Sequence, residues 1–181
     1  MMARTLTLAR LRTFCRSTSG AALVEFVIVL PMMILFFGII VEFGRLYWGY
    51  QSVVAGVRDA SRYLGRMAPV EVCIDHPGGG ELLQYVTGVT AADLRDRVRY
   101  DRSSVNLLPV QFTVNSVGAT YACEDAPSTE TWEYRTPEIP LATVTANVTM
   151  QFPLGHLFSL FGPRYTSITT DVSDDARIFG S

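Results

Sequence analysis

Histidine is nearly absent from this chain. Its 181 residues hold two, His76 and His156, and neither has a second ligand at metal-binding spacing. No metal and no other cofactor is expected. The glycine run Gly78–Gly80 lacks the Lys-Ser or Lys-Thr that completes a phosphate loop, so it reads as a turn. No Ser-His-Asp, Cys-His or paired-carboxylate pattern stands out, so catalytic residues are not assigned and the chain is not expected to be an enzyme. The net charge of -2, without a polybasic cluster after residue 41, argues against nucleic acid as a partner.

Charge is missing from one stretch altogether, save for a single residue. From Ala21 to Val41 the chain reads AALVEFVIVLPMMILFFGIIV, with Glu25 as its only ionisable group. As a helix this run covers roughly 30 Å, the thickness of a bilayer's hydrocarbon core. A core helix of a soluble domain of this length carries a polar stripe, and none is present. A secretory signal fits poorly, because the apolar run passes through Ile34, Leu35, Phe36 and Phe37 without a small-residue cleavage site.

The preceding tail carries Arg4, Arg10, Arg12 and Arg16 and no acidic residue. The positive-inside bias keeps such a tail in the cytoplasm, so the chain beyond the span is exported. Tyr47, Trp48 and Tyr50 form an aromatic cluster suited to a membrane–water interface. Beyond them Val53, Val54, Val57 and Leu64 recur at helical spacing, with Arg58, Asp59 and Arg62 on the other side and Gly65 as a stop. One long helix with a lipid half and a half packed on a domain is the result.

The remainder predicts a small α+β head with an antiparallel sheet. Thr90 begins a capped helix that runs through Tyr100, with Asp93 four residues before Arg97. In ATVTANVTMQF, residues 142–152, apolar and polar side chains alternate strictly, which marks a strand with one buried face. Val110-Phe112-Val114 repeats the pattern, and Tyr165–Val172 supplies a third strand. Acidic Cys123–Pro140 reads as a solvated loop, and PLGHLFSLFGP, with Leu154, Leu157, Phe158, Leu160 and Phe161, reads as an apolar connection. The expected organisation is a cytoplasmic leader (1–20), a long helix (21–65, of which 21–46 spans the membrane) and an exported head (66–181).

Glu25 needs a reason, since a carboxylate at the bilayer centre costs up to roughly 3 kcal/mol. It is either shallow enough to reach the headgroups or protonated, or it is used. Gly20, with Ser17, Thr18 and Ser19 as candidate caps, is either an ordinary residue before a helix or part of a cleavage site. Pro31 removes one backbone hydrogen bond and is expected to bend the helix.

Here the residues resemble a family. Gly20-Ala-Ala-Leu-Val-Glu25-Phe26 resembles the prepilin processing site of type IV filament proteins. The run from Gly20 to Arg66 is similar to the TadE-like family of tight-adherence (Flp-type) pilus systems: it shares the Glu25-Phe26 pair, Pro31, Glu42-Phe43-Gly44-Arg45 and Ala60-Ser61-Arg62, in that order. About a quarter of the chain is covered. The resemblance implies a pilin-like fold and cleavage between Gly20 and Ala21 by a prepilin peptidase. The freed amine of Ala21 is then a partner for the Glu25 carboxylate of a neighbouring helix.

It further implies a minor pilin or pseudopilin in the cytoplasmic membrane, N-terminus inside and head exported, that helps initiate, prime or cap a filament. Its partners are then the peptidase, other major and minor pilins, the assembly platform and the membrane. The rival is an unprocessed, membrane-anchored binding or adhesion protein. With this topology Cys15 leaves with the leader, and Cys73 and Cys123 are a candidate disulfide. That bond closes a loop of about 50 residues and contributes about 2–4 kcal/mol.

Overall fold

The computed structural model describes residues 18–100, 103–125, 138–155 and 166–180. The chain divides into two compact units, residues 1–43 and 44–181, and the boundary falls inside a helix. That helix, α1, is Thr18–Met67.

In the first unit α1 is apolar on every side, and Leu23, Phe26, Ile28, Met32 and Phe36 are all exposed. It is the one helix among the described residues long and apolar enough to cross a membrane, compatible with a single-pass anchor. Pro31 lies within it. The helix begins before the expected point: Thr18 and Ser19 are helical and so do not precede the helix as caps, while Ser17 lies outside the described residues. Leucine, alanine and methionine after Gly20 propagate helix well, which lets it extend back through a residue that by itself disfavours helix by about 1 kcal/mol.

In the second unit α1 becomes amphipathic. Val53, Val57, Ala60 and Leu64 are fully buried, while Arg58, Asp59 and Arg62 are exposed, as the period of 3.6 requires. Gly65 is not the stop expected of it, since α1 runs on to Met67. Its role is close approach: a Cβ there would come within 2.6 Å of the Arg177 carbonyl oxygen. The Gly65 carbonyl, one of the last four of the helix, accepts a hydrogen bond from the Phe179 N–H at 2.8 Å.

After α1 come α2 (Val72–Asp75), β1 (Gly80–Glu81), a 3₁₀ turn (Leu83–Tyr85), α3 (Ala91–Arg99), β2 (Phe112–Asp125), β3 (Glu138–Gln151) and β4 (Ser167–Arg177). The strands form one sheet in the order β1-β2-β3-β4, and each neighbouring pair is antiparallel. A long N-terminal helix followed by a small α+β domain is thus the architecture. Thr90 caps α3: its hydroxyl accepts from the Asp93 N–H at 3.3 Å, and the Asp93 carboxylate accepts from the Thr90 N–H at 2.8 Å.

Val114, Val117, Ala119 and Tyr121 of β2 and Ala142, Val144, Ala146 and Val148 of β3 share one buried cluster with the α1 valines. The opposite face is polar, with Asn147 accepting from Asn115 at 2.7 Å and donating to Asp171 at 2.6 Å. A bulge between Val114 and Ser116 adds one residue, so the alternation begun at Phe112 resumes out of phase at Val117. That phase change hides most of β2 from a period-two reading, and Val110 itself lies before the strand.

The loop expected over Cys123–Pro140 is shorter than predicted, because both its ends are strand: Cys123 pairs with Pro140, Glu124 with Ile139 and Asp125 with Glu138. Of its residues, Trp132 and Tyr134 lie outside the described residues. So do Leu157, Phe158, Leu160 and Phe161 of the apolar connection. β4 also outlasts its predicted limit of Val172 by five residues, to Arg177.

Candidate functional site

The segment that carries the resemblance divides into an exposed part and a buried part. Gly20 is helical and half-exposed. Ala21 and Glu25 are exposed and four residues apart, hence on one face of α1. The Glu25 carboxylate is surrounded in sequence by exposed Leu23, Val24, Phe26 and Val27. Among the described residues no cation lies within ion-pair distance of it. Phe26, Pro31, Phe43 and Arg45 are exposed as well, whereas Glu42 is buried. Gly44 has open space where a Cβ would stand.

Ala60 and Ser61 lie at the other extreme, fully buried in the second unit. Ser61 Oγ is 2.9 Å from the Arg58 carbonyl and 2.7 Å from Asp174 Oδ2. Arg58 Nε stands 3.6 Å from the other oxygen of the same carboxylate. Asp174 occupies an inward position of β4, where a sequence reading expects an apolar residue. The Ser61 hydroxyl and the Arg58 guanidinium compensate its desolvation, so the strand continues beyond Val172. No sequence signal links residues 113 positions apart, and this contact was not foreseen.

Arg62, the last residue of the motif, faces a groove of about 1050 Å³ together with Arg66, Arg97, Asp59, Asp96 and Tyr100. The Arg97 guanidinium stacks 3.5 Å above the Tyr63 ring, a cation–π contact that ties α3 to α1. The Thr90 hydroxyl, then the Thr90 N–H, hold the Asp93 carboxyl below its ordinary value against a small opposing effect of desolvation, with Arg97 assisting.

Cys73 and Cys123 lie with their sulfurs 2.09 Å apart and their Cα atoms 5.7 Å apart, joining α2 to β2. The Glu138 carboxylate lies within 4.8 Å of both sulfurs; a disulfide leaves no thiolate there for a metal to bind. Beside them the Tyr121 hydroxyl donates to the His76 carbonyl at 2.9 Å, and His76 stacks on Tyr85 at 4.3 Å. Burial, then Tyr85, pushes the Tyr121 phenol above its ordinary value. His156 lies outside the described residues.

No curated protein matches this chain, and no solved structure matches it. One family does, described as TadE-like protein, over residues 20–62. The matched stretch begins at Gly20 and ends at Arg62, so it contains Glu25, Pro31, the Glu42–Arg45 tetrapeptide and Ser61. Residues 20–62 are therefore similar to the TadE-like family, the one their motifs resemble.

Proposed function

We propose that the chain is a pilus-associated subunit of a tight-adherence (Flp-type IV) machine, a minor pilin or pseudopilin with a structural role in place of catalysis. Residues 21–46 hold it in the cytoplasmic membrane, with the N-terminus cytoplasmic and the head exported. A prepilin peptidase cuts it between Gly20 and Ala21. The product joins other major and minor pilins and the assembly platform, where it helps initiate, prime or cap the filament.

The observation that carries this reading is the exposed Glu25 carboxylate on an otherwise apolar helix, five residues after the glycine at which the family match begins. An unpaired charge there opposes insertion among lipid chains or apolar helices. A neighbour's Ala21 ammonium removes that cost and selects one axial register between subunits, because only one stagger brings the two charges together. The helical setting of Gly20 adds a requirement: the first turn of α1 unwinds for the peptidase, which the low helix propensity of glycine and the fraying of helix ends favour.

The test is the intact mass of protein extracted from membranes of cells that contain the peptidase. It begins at Ala21 on this reading. A mass that retains the arginine-bearing leader defeats it in favour of an unprocessed anchored binding protein. In the same cells Glu25→Ala leaves insertion intact and impairs assembly.

A further inference from the structure

The two ends of the head's sheet differ in chemistry. Phe112, Met150 and Ile168 pair across β2, β3 and β4 in one row. The Phe112 ring lies against Gly49 of α1, where it fills the space a Cβ would take. This end of the unit therefore gathers the Gly44–Tyr50 turns of α1, the turn before β2, the end of β3 and the start of β4. Large apolar and aromatic side chains stand exposed there among polar ones such as Thr113, Gln151 and Thr169: Val110 is 97% exposed, Trp48 72%, Tyr47 67% and Ile168 52%.

Across residues 44–50, 109–113, 149–155 and 166–169 the only charge is Arg45, and there is no carboxylate. Along the sheet from there carboxylates gather: Asp171 is level with Asn147, Glu81 and Asp175 are level with Thr143, roughly 23 Å along β3 from Met150, and Glu124, Asp125 and Glu138 stand at the far end, roughly 40 Å away. Water imposes no such segregation on a head that it surrounds.

We propose that the Gly49 end of the head is a lipid-binding surface, with Tyr47, Trp48, Val110 and Ile168 seated in the headgroup layer of the bilayer. Tyrosine and tryptophan settle at that depth because one part of each ring system is apolar and the other hydrogen-bonds water. Exposed valine and isoleucine gain by leaving water there. Arg45 can keep its charged head among the phosphates of that layer, and a carboxylate seated there would cost free energy, which matches the composition of residues 44–50, 109–113, 149–155 and 166–169. The occupant is lipid because these residues follow the apolar run of α1 directly in the chain, so the bilayer is the apolar phase within their reach. The inference rests on the reading of residues 21–46 as a membrane anchor, and it adds that the head itself docks on the membrane.

The experiment uses the full chain with Cys15→Ser and the Cys73–Cys123 pair left oxidised, reconstituted into vesicles of phosphatidylcholine and phosphatidylglycerol. A single environment-sensitive fluorophore is attached at Val110→Cys, Ile168→Cys, Asp175→Cys or Ile34→Cys, and nitroxide lipids labelled near the headgroup or in mid-chain serve as quenchers. Blue-shifted emission and loss of fluorescence to the headgroup-side nitroxide are expected at Val110 and Ile168, with neither change at Asp175. Mid-chain quenching is expected at Ile34. If Ile34 is quenched while Val110 and Ile168 behave like Asp175, the docking surface is overturned and the anchor stands. Blue-shifted emission at Val110 without lipid quenching also overturns it, because the cover is then protein. An unquenched Ile34 overturns the anchor reading and the docking surface with it.

Discussion

Residues 21–41 and residues 53–67 lie along one continuous helical stretch of chain, yet they meet their surroundings in opposite ways. The first leaves leucine, isoleucine, phenylalanine and methionine exposed around its whole circumference. The second buries Val53, Val57, Ala60 and Leu64 and turns Arg58, Asp59 and Arg62 outward. Both are hydrophobic, so hydrophobicity alone does not say what a helix packs against. The distribution around the axis does, since an all-round apolar surface calls for a solvent that is itself apolar, whereas a stripe calls for one protein face.

The largest effects that sharpen this contrast come from cavities. Leu64→Ala removes a fully buried side chain and lowers the stability of the head by about 2–5 kcal/mol, read from thermal or denaturant unfolding of the detergent-solubilised protein. Ile34→Ala on the exposed stretch changes the same transition by less than about 0.5 kcal/mol. Equal losses would mean that the apolar stretch is part of the head's core.

Glycines extend the comparison to backbone approach. A Cβ on Gly56 would come within 2.6 Å of the Val98 carbonyl oxygen and 2.9 Å of its Cα, so Gly56→Ala pushes α3 off α1 and costs about 1–3 kcal/mol. Gly44 meets nothing within 4 Å, and Gly44→Ala is neutral or stabilising by up to about 1 kcal/mol, the difference in helix propensity. Thermal unfolding of the two variants side by side decides it.

A smaller effect separates neighbours within the family segment. Ser61→Ala takes one hydrogen bond from a half-buried Asp174 and costs about 1–2 kcal/mol, while exposed Arg62→Ala costs less than about 0.5 kcal/mol. A double-mutant cycle with Asp174→Asn shows coupling for Ser61 and none for Arg62.

The smallest effect concerns pH and compares the capped start of α3 with the start of α1. The folded-state pKa of Asp93 lies below its ordinary value, chiefly through the Thr90 hydroxyl. Its contribution to stability is therefore present above the unfolded-state carboxylate pKa and is lost as pH falls through the lower folded value. Asp93→Asn flattens the acid limb of a stability–pH curve, whereas an unchanged limb rules out this cap as a contributor.

Much of the fold was legible in the residues because it depends on local pattern. The apolar run, the amphipathic turns after it, the Thr90 cap and the strict alternation of residues 142–152 each arise from spacing along one element. β2 was only partly legible, because the bulge at Val114–Ser116 reverses the inward phase. β1 was missed, because Gly80 and Glu81 carry no strand signal and pair only where Tyr121 and Thr120 present an edge. Gly65 was misread for a similar reason: a glycine near a helix end signals a stop, and only the arrival of Arg177 shows that it serves close packing.

The sequence by itself determined that one helix here is apolar on all sides over one stretch, compatible with a membrane anchor, and amphipathic over the next, since period and charge are properties of consecutive residues. It also determined that Glu25 stands as the sole charge of that apolar run. Only the tertiary structure decided that Ser61 supports Asp174, that three strand ends and a helical turn come together at the Gly49 end, and that β4 continues past its apolar residues. Those features join side chains from distant parts of the chain, and the pairing that brings them together is set by packing and register, which no local window contains.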